Sequence, residues 1–175
     1  WDDRYNRRLQ RLIVNARFRY RASMEEIDYT ARRNLDKKRG LRLSTSDWIT
    51  KNQNILITGK TGLGKSWIAS SLGYQACQHG YKVQYRNCIK LFDQLKIAKA
   101  DGSYIKETSK IEKQDLLILD DFGLKPLDNI QRLILLEVLE DRHGRRSTII
   151  TSQLPVSKWH EVIADPTLAD AILDR

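Results

Sequence analysis

A glycine-rich turn between an apolar segment and a helical segment constrains the fold of this chain more than any other feature. Residues 59–66 read GKTGLGKS, which fits the pattern G-x-x-x-x-G-K-[ST], and they directly follow the apolar run 54–58. Downstream, Ile68, Leu72 and Cys77 recur at helical spacing. The glycines of such a turn let backbone N–H groups point inward around phosphates, and the helix adds its positive end. The segment therefore predicts a strand, a phosphate-binding loop and a helix.

The loop also predicts a role for each of its residues. We expect a nucleoside triphosphate to be bound by Gly59, Lys60, Thr61, Gly62, Leu63, Gly64, Lys65 and Ser66. Lys65 is expected to reach the β- and γ-phosphates, and the Ser66 hydroxyl is expected to ligate Mg²⁺.

Composition limits the alternatives. A chain of 175 residues can form one α/β core with a small appendage. No stretch approaches the roughly 20 apolar residues of a membrane span, and the charged N-terminus lacks a signal-peptide core, so we expect a cytoplasmic protein without a membrane partner. Cys77, Cys88 and three scattered histidines are too few for a disulfide framework or a zinc cluster, which favours reduced thiols and no structural metal.

Positive charge is concentrated in the N-terminal quarter. Residues 1–42 hold 13 Lys and Arg against 6 Asp and Glu, whereas residues 43–175 hold 18 against 16. The segment begins with one apolar helical stripe, formed by Tyr5, Leu9, Leu12, Ile13, Ala16 and Tyr20. Arginines lie largely off this stripe at Arg4, Arg7, Arg8, Arg11 and Arg19. This pattern favours a polyanion partner, with a solvated helix face as the alternative.

The basic pattern continues beyond the first helix. Residues 23–26 (SMEE) have the capping-box form of a second helix start, and residues 29–46 read as a basic linker. We predict DNA phosphate contacts from Arg4, Arg7, Arg8, Arg11, Arg32, Arg33, Lys37, Lys38 and Arg39. The predicted division is therefore a basic helical segment at 1–45 and a core at 46–175, which begins with Trp48 and Ile49.

The rest of the chain alternates between strand and helix patterns. Strands are expected at 82–85, 115–121 and 147–153, helices at 89–100 and 129–142, a short helix around Trp159, a turn at 165–166 and a last helix to the end. The apolar runs in the second and third of these strands are typical of parallel strands buried on both faces. The alternation predicts an α/β fold with helices on both faces of a parallel sheet.

Acidic residues at a strand end predict the second half of the nucleotide site. Asp120 and Asp121 end the run 116–119, so they should lie beside the phosphate loop at the carboxyl edge of the sheet. Asp120 is expected to hold Mg²⁺ through water, and Asp121 to orient the attacking water, with a helix cap or a surface acid as its alternative. Gln153 follows the next strand and could bind the γ-phosphate or that water, unless it is merely a polar strand end.

These motifs together resemble those of the AAA+ class, and specifically the IstB-like helpers of insertion-sequence transposition, which are related to DnaC-type helicase loaders. The resemblance rests on the loop 59–66, on LLILDDFGL at 116–124, and on the segment from STIITSQLP at 147–155 through 158–175. It implies an AAA+ P-loop ATPase with Mg²⁺ as cofactor. It further implies a homo-oligomer that assembles on double-stranded DNA with ATP, deforms the DNA and presents it to a transposase.

The resemblance also assigns roles by position. Lys65 would bind phosphate, Ser66 and Asp120 would serve Mg²⁺, and Asp121 would polarise water. Gln153 falls at the first sensor position, where Asn is commoner, and Asp121 stands where many AAA+ proteins have Glu. The side chain of Asp is shorter by about 1.5 Å, which would slow hydrolysis. Arg175 matches an arginine finger supplied to a neighbouring subunit, and the helical lid that follows it in the family is expected to be absent or truncated here.

Two other functions remain open at the level of sequence. A DnaC-like helicase loader acting in replication would prefer single strands and bind a replicative helicase. A small-molecule kinase could use the same phosphate loop and would transfer phosphate to a metabolite as a monomer.

Overall fold

The computed structural model describes residues 2–21, 37–60, 62 and 64–163, the side chains of residues 37–39 excepted. Its helices are α1 (Asp2–Ala16), α2 (Lys37–Leu43), α3 (Asp47–Thr50), α4 (Lys65–Gln78), α5 (Cys88–Asp101), α6 (Tyr104–Glu112), α7 (Asn129–Arg142) and α8 (Trp159–Ile163). Its strands are β1 (Ile55–Thr58), β2 (Val83–Asn87), β3 (Leu116–Phe122) and β4 (Ser147–Ser152). The predicted capping box at 23–26, Arg32, Arg33, the turn at 165–166 and Arg175 lie outside the described residues.

The four strands form one parallel sheet in the order β1-β4-β3-β2. β3 and β4 occupy the centre, and nearly all of their side chains are buried, which explains the continuous apolar runs in their sequences. Strands that follow each other in the sequence are not all neighbours in the sheet. The helices that connect them lie on both faces of the sheet. The predicted α/β fold with a parallel sheet is confirmed.

Two apolar clusters hold helices on opposite faces of the sheet. On one face, Ala69, Leu72 and Ala76 of α4 pack with Trp48 and Ile49, and α1 adds its apolar stripe to the same cluster. On the other face α5, α6, α7 and α8 pack in a second cluster. The predicted three-layer architecture is confirmed. Among the described residues, no helix combines the length and the apolarity needed to cross a bilayer.

Two predictions about local structure were wrong, and one helix was not predicted. Residues 37–43 form α2 instead of a linker, because partly buried Leu43 packs beside Trp48, whose indole Nε1 donates to the Leu43 carbonyl oxygen at 2.9 Å. The helix without a predicted counterpart is α6, whose Ile111 is buried in the second cluster. The first helix ends at Ala16, because Arg17 adopts a left-handed φ of 58°.

Candidate nucleotide site

The glycine-rich loop joins β1 to α4, as its pattern predicts. Gly62 and Gly64 have φ values of 87° and 82°, a conformation that favours glycine, and α4 begins at Lys65. The Lys65 ammonium donates to the Lys60 carbonyl oxygen at 2.9 Å, so this nearly buried side chain folds back over the loop. Thr61 and Leu63 lie outside the described residues.

The loop is also tied to the centre of the sheet. The backbone N–H of Gly59 donates to the carbonyl oxygen of Ser152 at 3.2 Å, at the carboxyl end of β4. Gln153 follows directly and is exposed. The structure therefore places Gln153 at the same edge of the sheet as the loop.

Asp120 is the buried carboxylate at this edge. The Ser66 hydroxyl donates to its two carboxylate oxygens at 2.8 and 2.9 Å, and the Thr151 and Tyr85 hydroxyls donate to it as well. Asp120 is 1% exposed, and these donors satisfy a charge that burial would otherwise destabilise. The structure thus brings together Ser66 and Asp120, the two residues predicted to serve Mg²⁺. Their hydroxyl and carboxylate oxygens are hard donors that fit this ion.

Asp121 projects from an irregularity in β3. The pairing register between β3 and β4 shifts between Leu119 and Phe122, and Asp121 there adopts a φ of 61°, which Asp tolerates better than most residues. Its backbone N–H donates to the Thr151 hydroxyl oxygen at 3.0 Å. The Asp121 side chain is 24% exposed, whereas Asp120 is 1% exposed. The two neighbouring acids therefore differ in access to a ligand.

The groups around Asp121 shift the pKa of its carboxyl in opposite directions. Burial and the neighbouring Asp120 raise the pKa of the Asp121 carboxyl, and the cations Arg19 and Lys65 oppose that rise. The side-chain Nδ2 of Asn87 donates to Asp121 at 3.4 Å, while the side-chain Oδ1 of Asn87 accepts the backbone N–H of Lys90 at 3.2 Å. Asn87 thus caps α5 and contacts Asp121 with the same side chain.

The sequence interpretation missed several residues around the two acids. Tyr85 and Asn87 lie on β2, and Asn87 is the register partner of Asp120. Their position could be inferred in principle, because neighbouring parallel strands end at the same edge of the sheet and residues two apart on a strand share a face. The inference requires the order of the strands in the sheet, which the sequence does not contain.

Arg19 is also at this edge, although the sequence pattern grouped it with the arginines that face outward from α1. Its guanidinium Nη1 lies 3.7 Å from an Asp120 oxygen and 3.6 Å from an Asp121 oxygen. The earlier placement was wrong because it continued the helical pattern to Tyr20, whereas α1 ends before Arg17.

The predicted DNA-binding arginines within α1 remain on the surface. Four arginines of this helix are exposed, and together with Asp3 they line one open depression: Arg4, Arg7, Arg8 and Arg11. Leu9, Leu12 and Ile13 face the core, and the Tyr5 hydroxyl donates to the Gln78 carbonyl oxygen at 3.0 Å at the end of α4. Lys37, Lys38 and Arg39 lie in the first turn of α2.

Comparison with known proteins identifies relatives along the whole chain. The family described as IstB-like ATP binding protein matches residues 2–175. An insertion-sequence ATP-binding protein of Sinorhizobium fredii is 49% identical over 175 residues, which cover 100% of this chain and 71% of the relative. The ATP-binding protein of insertion sequence IS1162 from Pseudomonas fluorescens is 46% identical over 158 residues, covering 90% of this chain and 68% of the relative.

Solved structures with the same fold include proteins of DNA replication. The DnaC helicase loader matches with a TM-score of 0.72 at 17% identity, covering 89% of this chain and 93% of that one. DnaA from Aquifex aeolicus with bound AMPPCP matches with a TM-score of 0.73 at 16% identity, covering 88% of this chain and 48% of that one. At such identities the similarity establishes the fold, which is the α/β core of AAA+ proteins.

Proposed function

This chain belongs to the IstB-like family of insertion-sequence ATP-binding proteins, and on that premise we propose that it is an ATPase that assembles on duplex DNA and assists transposition. The observation that carries the proposal is the meeting of the phosphate loop with Asp120 and Asp121 at one sheet edge, on a molecule whose α1 presents an arginine-rich face. The first feature suits ATP hydrolysis, and the second suits a polyanion.

The chemistry follows from the positions of the side chains. Lys65 would reach the phosphates from the loop, and Ser66 and Asp120 would hold Mg²⁺, which neutralises phosphate charge when bound. Asp121 is accessible and acts on the attacking water, accepting its proton as the water bonds to the γ-phosphorus and the bond to the β-γ bridging oxygen breaks. Gln153 is placed to contact the γ-phosphate or the same water.

Assembly would complete this site. Arg175 is proposed to reach the nucleotide of a neighbouring subunit, where a guanidinium stabilises the charge that develops on the transferred phosphoryl group. Nucleotide would then lie between subunits of a homo-oligomer, and binding of ATP would favour assembly. The transposase is the proposed partner of that assembly.

DNA would bind through phosphate contacts. The arginines of α1 stand on the exposed face of a helix that packs on the core through its apolar residues. The phosphate contacts predicted for Arg32, Arg33, Lys37, Lys38 and Arg39 remain part of the proposal. Each phosphate neutralised by a side chain releases counterions. The logarithm of the DNA affinity should therefore fall against the logarithm of salt concentration with a slope of about −0.9 per contact.

Fluorescence anisotropy with a labelled duplex tests the DNA part of the proposal. Reversal of Arg7, Arg8 and Arg11 to Glu should abolish ATP-dependent binding at moderate salt. The matched control reverses three lysines of the opposite layer, Lys106, Lys110 and Lys113, and should retain binding, since its net charge change is the same. Binding that is insensitive to salt, or that survives reversal of the arginines, would refute duplex binding by this face. A preference for single strands in competition would favour a helicase loader instead.

A further inference from the structure

The segment after α1 is fixed against the helix of the phosphate loop. Arg17 turns the chain with its left-handed φ, and Phe18 then packs on Gly73 inside α4. The packing is so close that a Cβ atom at Gly73 would lie 2.5 Å from Cε1 of the Phe18 ring. Phe18 thus holds the next residue, Arg19, at the carboxyl edge of the sheet.

Arg19 contacts both acids and still has N–H groups available for another partner. Both ion pairs, to Asp120 and to Asp121, are made by Nη1, and the side chain is 52% exposed. Its guanidinium also lies 5.3 Å from the centre of the Tyr20 ring, a cation–π contact that orients it. A guanidinium has five N–H donors, so Arg19 can keep its contact with Asp121 and still donate to a ligand.

Binding of a triphosphate should keep Arg19 at this edge of the sheet. Asp120 and Asp121 already attract Arg19, and ATP with one Mg²⁺ adds further net negative charge to the same edge. A planar guanidinium is well suited to bind a phosphate through two parallel hydrogen bonds. The γ-phosphate is the group that stands near Asp121 if Asp121 acts on the attacking water.

We propose that Arg19 is a nucleotide-binding residue supplied by the basic N-terminal segment of the same subunit, and that it contacts the γ-phosphate of ATP. It distinguishes ATP from ADP, and it links the nucleotide to α1 and its arginine face. This inference rests on the proposed function for the position of the nucleotide, and its test does not require DNA.

The test measures affinities for ATP and ADP by competition with a fluorescent nucleotide in the presence of Mg²⁺. Arg19→Ala should weaken ATP binding by about tenfold and leave ADP binding unchanged, because ADP lacks the phosphate concerned. Arg19→Lys should keep part of the preference for ATP, since it keeps the charge. Arg21→Ala, which removes an equal charge from an exposed residue of the same segment, should bind both nucleotides like the wild type.

Three results would overturn the inference: unchanged ATP binding by Arg19→Ala, equal loss of ATP and ADP binding by that variant, or tighter ATP binding by it. The first would indicate that Arg19 makes no contact with ATP, the second a structural role, and the third a competitor for the acids. Duplex binding by the wild type serves as the separate test of the proposed function. If the wild type ignores duplex DNA while Arg19→Ala loses selectivity for ATP, the proposed function fails and the inference stands.

Discussion

Gly73 occupies a position in α4 where a methyl group should have opposite effects in two backgrounds. Helix propensity alone predicts that Gly73→Ala stabilises the fold by about 1 kcal/mol. Against this, the added Cβ would lie 2.5 Å from Cε1 and 2.9 Å from Cζ of Phe18, and 2.9 Å from Cδ1 of Ile118. Overpacking of this kind costs about 1–3 kcal/mol. The net effect should be a loss of about 0–2 kcal/mol of unfolding free energy.

Removing the ring should reverse the sign. Of these three contacts, a Phe18→Ala background keeps the one with Cδ1 of Ile118, which is the flexible end of a side chain. Gly73→Ala should then stabilise the protein, by up to about 1 kcal/mol. Phe18→Ala loses apolar burial by itself, but this loss is common to both proteins of that background and cancels from the comparison.

Urea denaturation of the wild type, both single variants and the double variant measures the coupling. We expect an interaction energy of about 1–3 kcal/mol between the two substitutions. Effects that add to within about 0.5 kcal/mol would refute the reasoning, because they would show that Phe18 does not lie on Gly73. The same result would remove the anchor that places Arg19 beside the acids.

Two further predictions concern Asp121 in the nucleotide site and the buried Cys77 in α4. Asp121→Asn should keep ATP binding and lose turnover in an ATPase assay, because an amide cannot accept the proton of the water; unchanged turnover would remove Asp121 from its role. Asp121→Ala should lose turnover too and should in addition unfold more easily by about 1 kcal/mol, since alanine tolerates the φ of 61° poorly. Burial raises the pKa of the Cys77 thiol from its ordinary value of 9.0 to about 12, so the protonated thiol of the folded state contributes stability that is complete below pH 9 and is lost as the pH rises toward 12. Urea unfolding between pH 8 and about 10.5 should show this decline, and a Cys77→Ala variant should have a smaller slope with pH; an equal slope in both proteins would contradict the assignment.

The sequence predicted those parts of the fold whose signals are local. The strands β3 and β4 are buried on both faces, so their apolar runs stand out, and the glycine spacing of 59–66 identifies the loop without any knowledge of its neighbours. α6 was not predicted because its two residues that pack in the second cluster, partly buried Tyr104 and buried Ile111, stand seven positions apart in a mostly polar segment.

The contacts around Asp120 and Asp121 depend on strand order and on the end of one helix. Tyr85 and Asn87 matter because β2 lies next to β3, and the register that pairs Asn87 with Asp120 is a property of the sheet. Arg19 matters because a single left-handed residue, Arg17, redirects the chain. Helical periodicity continued through that residue puts Arg19 on the wrong surface.

The attachment of α1 bears on how a nucleotide signal would reach DNA. Near its start, Tyr5 is bonded to Gln78 at the end of α4, and just past its other end Phe18 lies on Gly73 in the middle of α4. Between these points α1 shares an apolar cluster with α4, whose first residue is Lys65. A displacement of α4 caused by phosphate binding would therefore carry the arginine face with it, because helices that pack against each other shift together as bodies. Arg19 would add a direct contact to the same link. Under the two proposals, Arg19 would respond to nucleotide within one subunit, whereas Arg175 would act on the nucleotide of a neighbouring subunit.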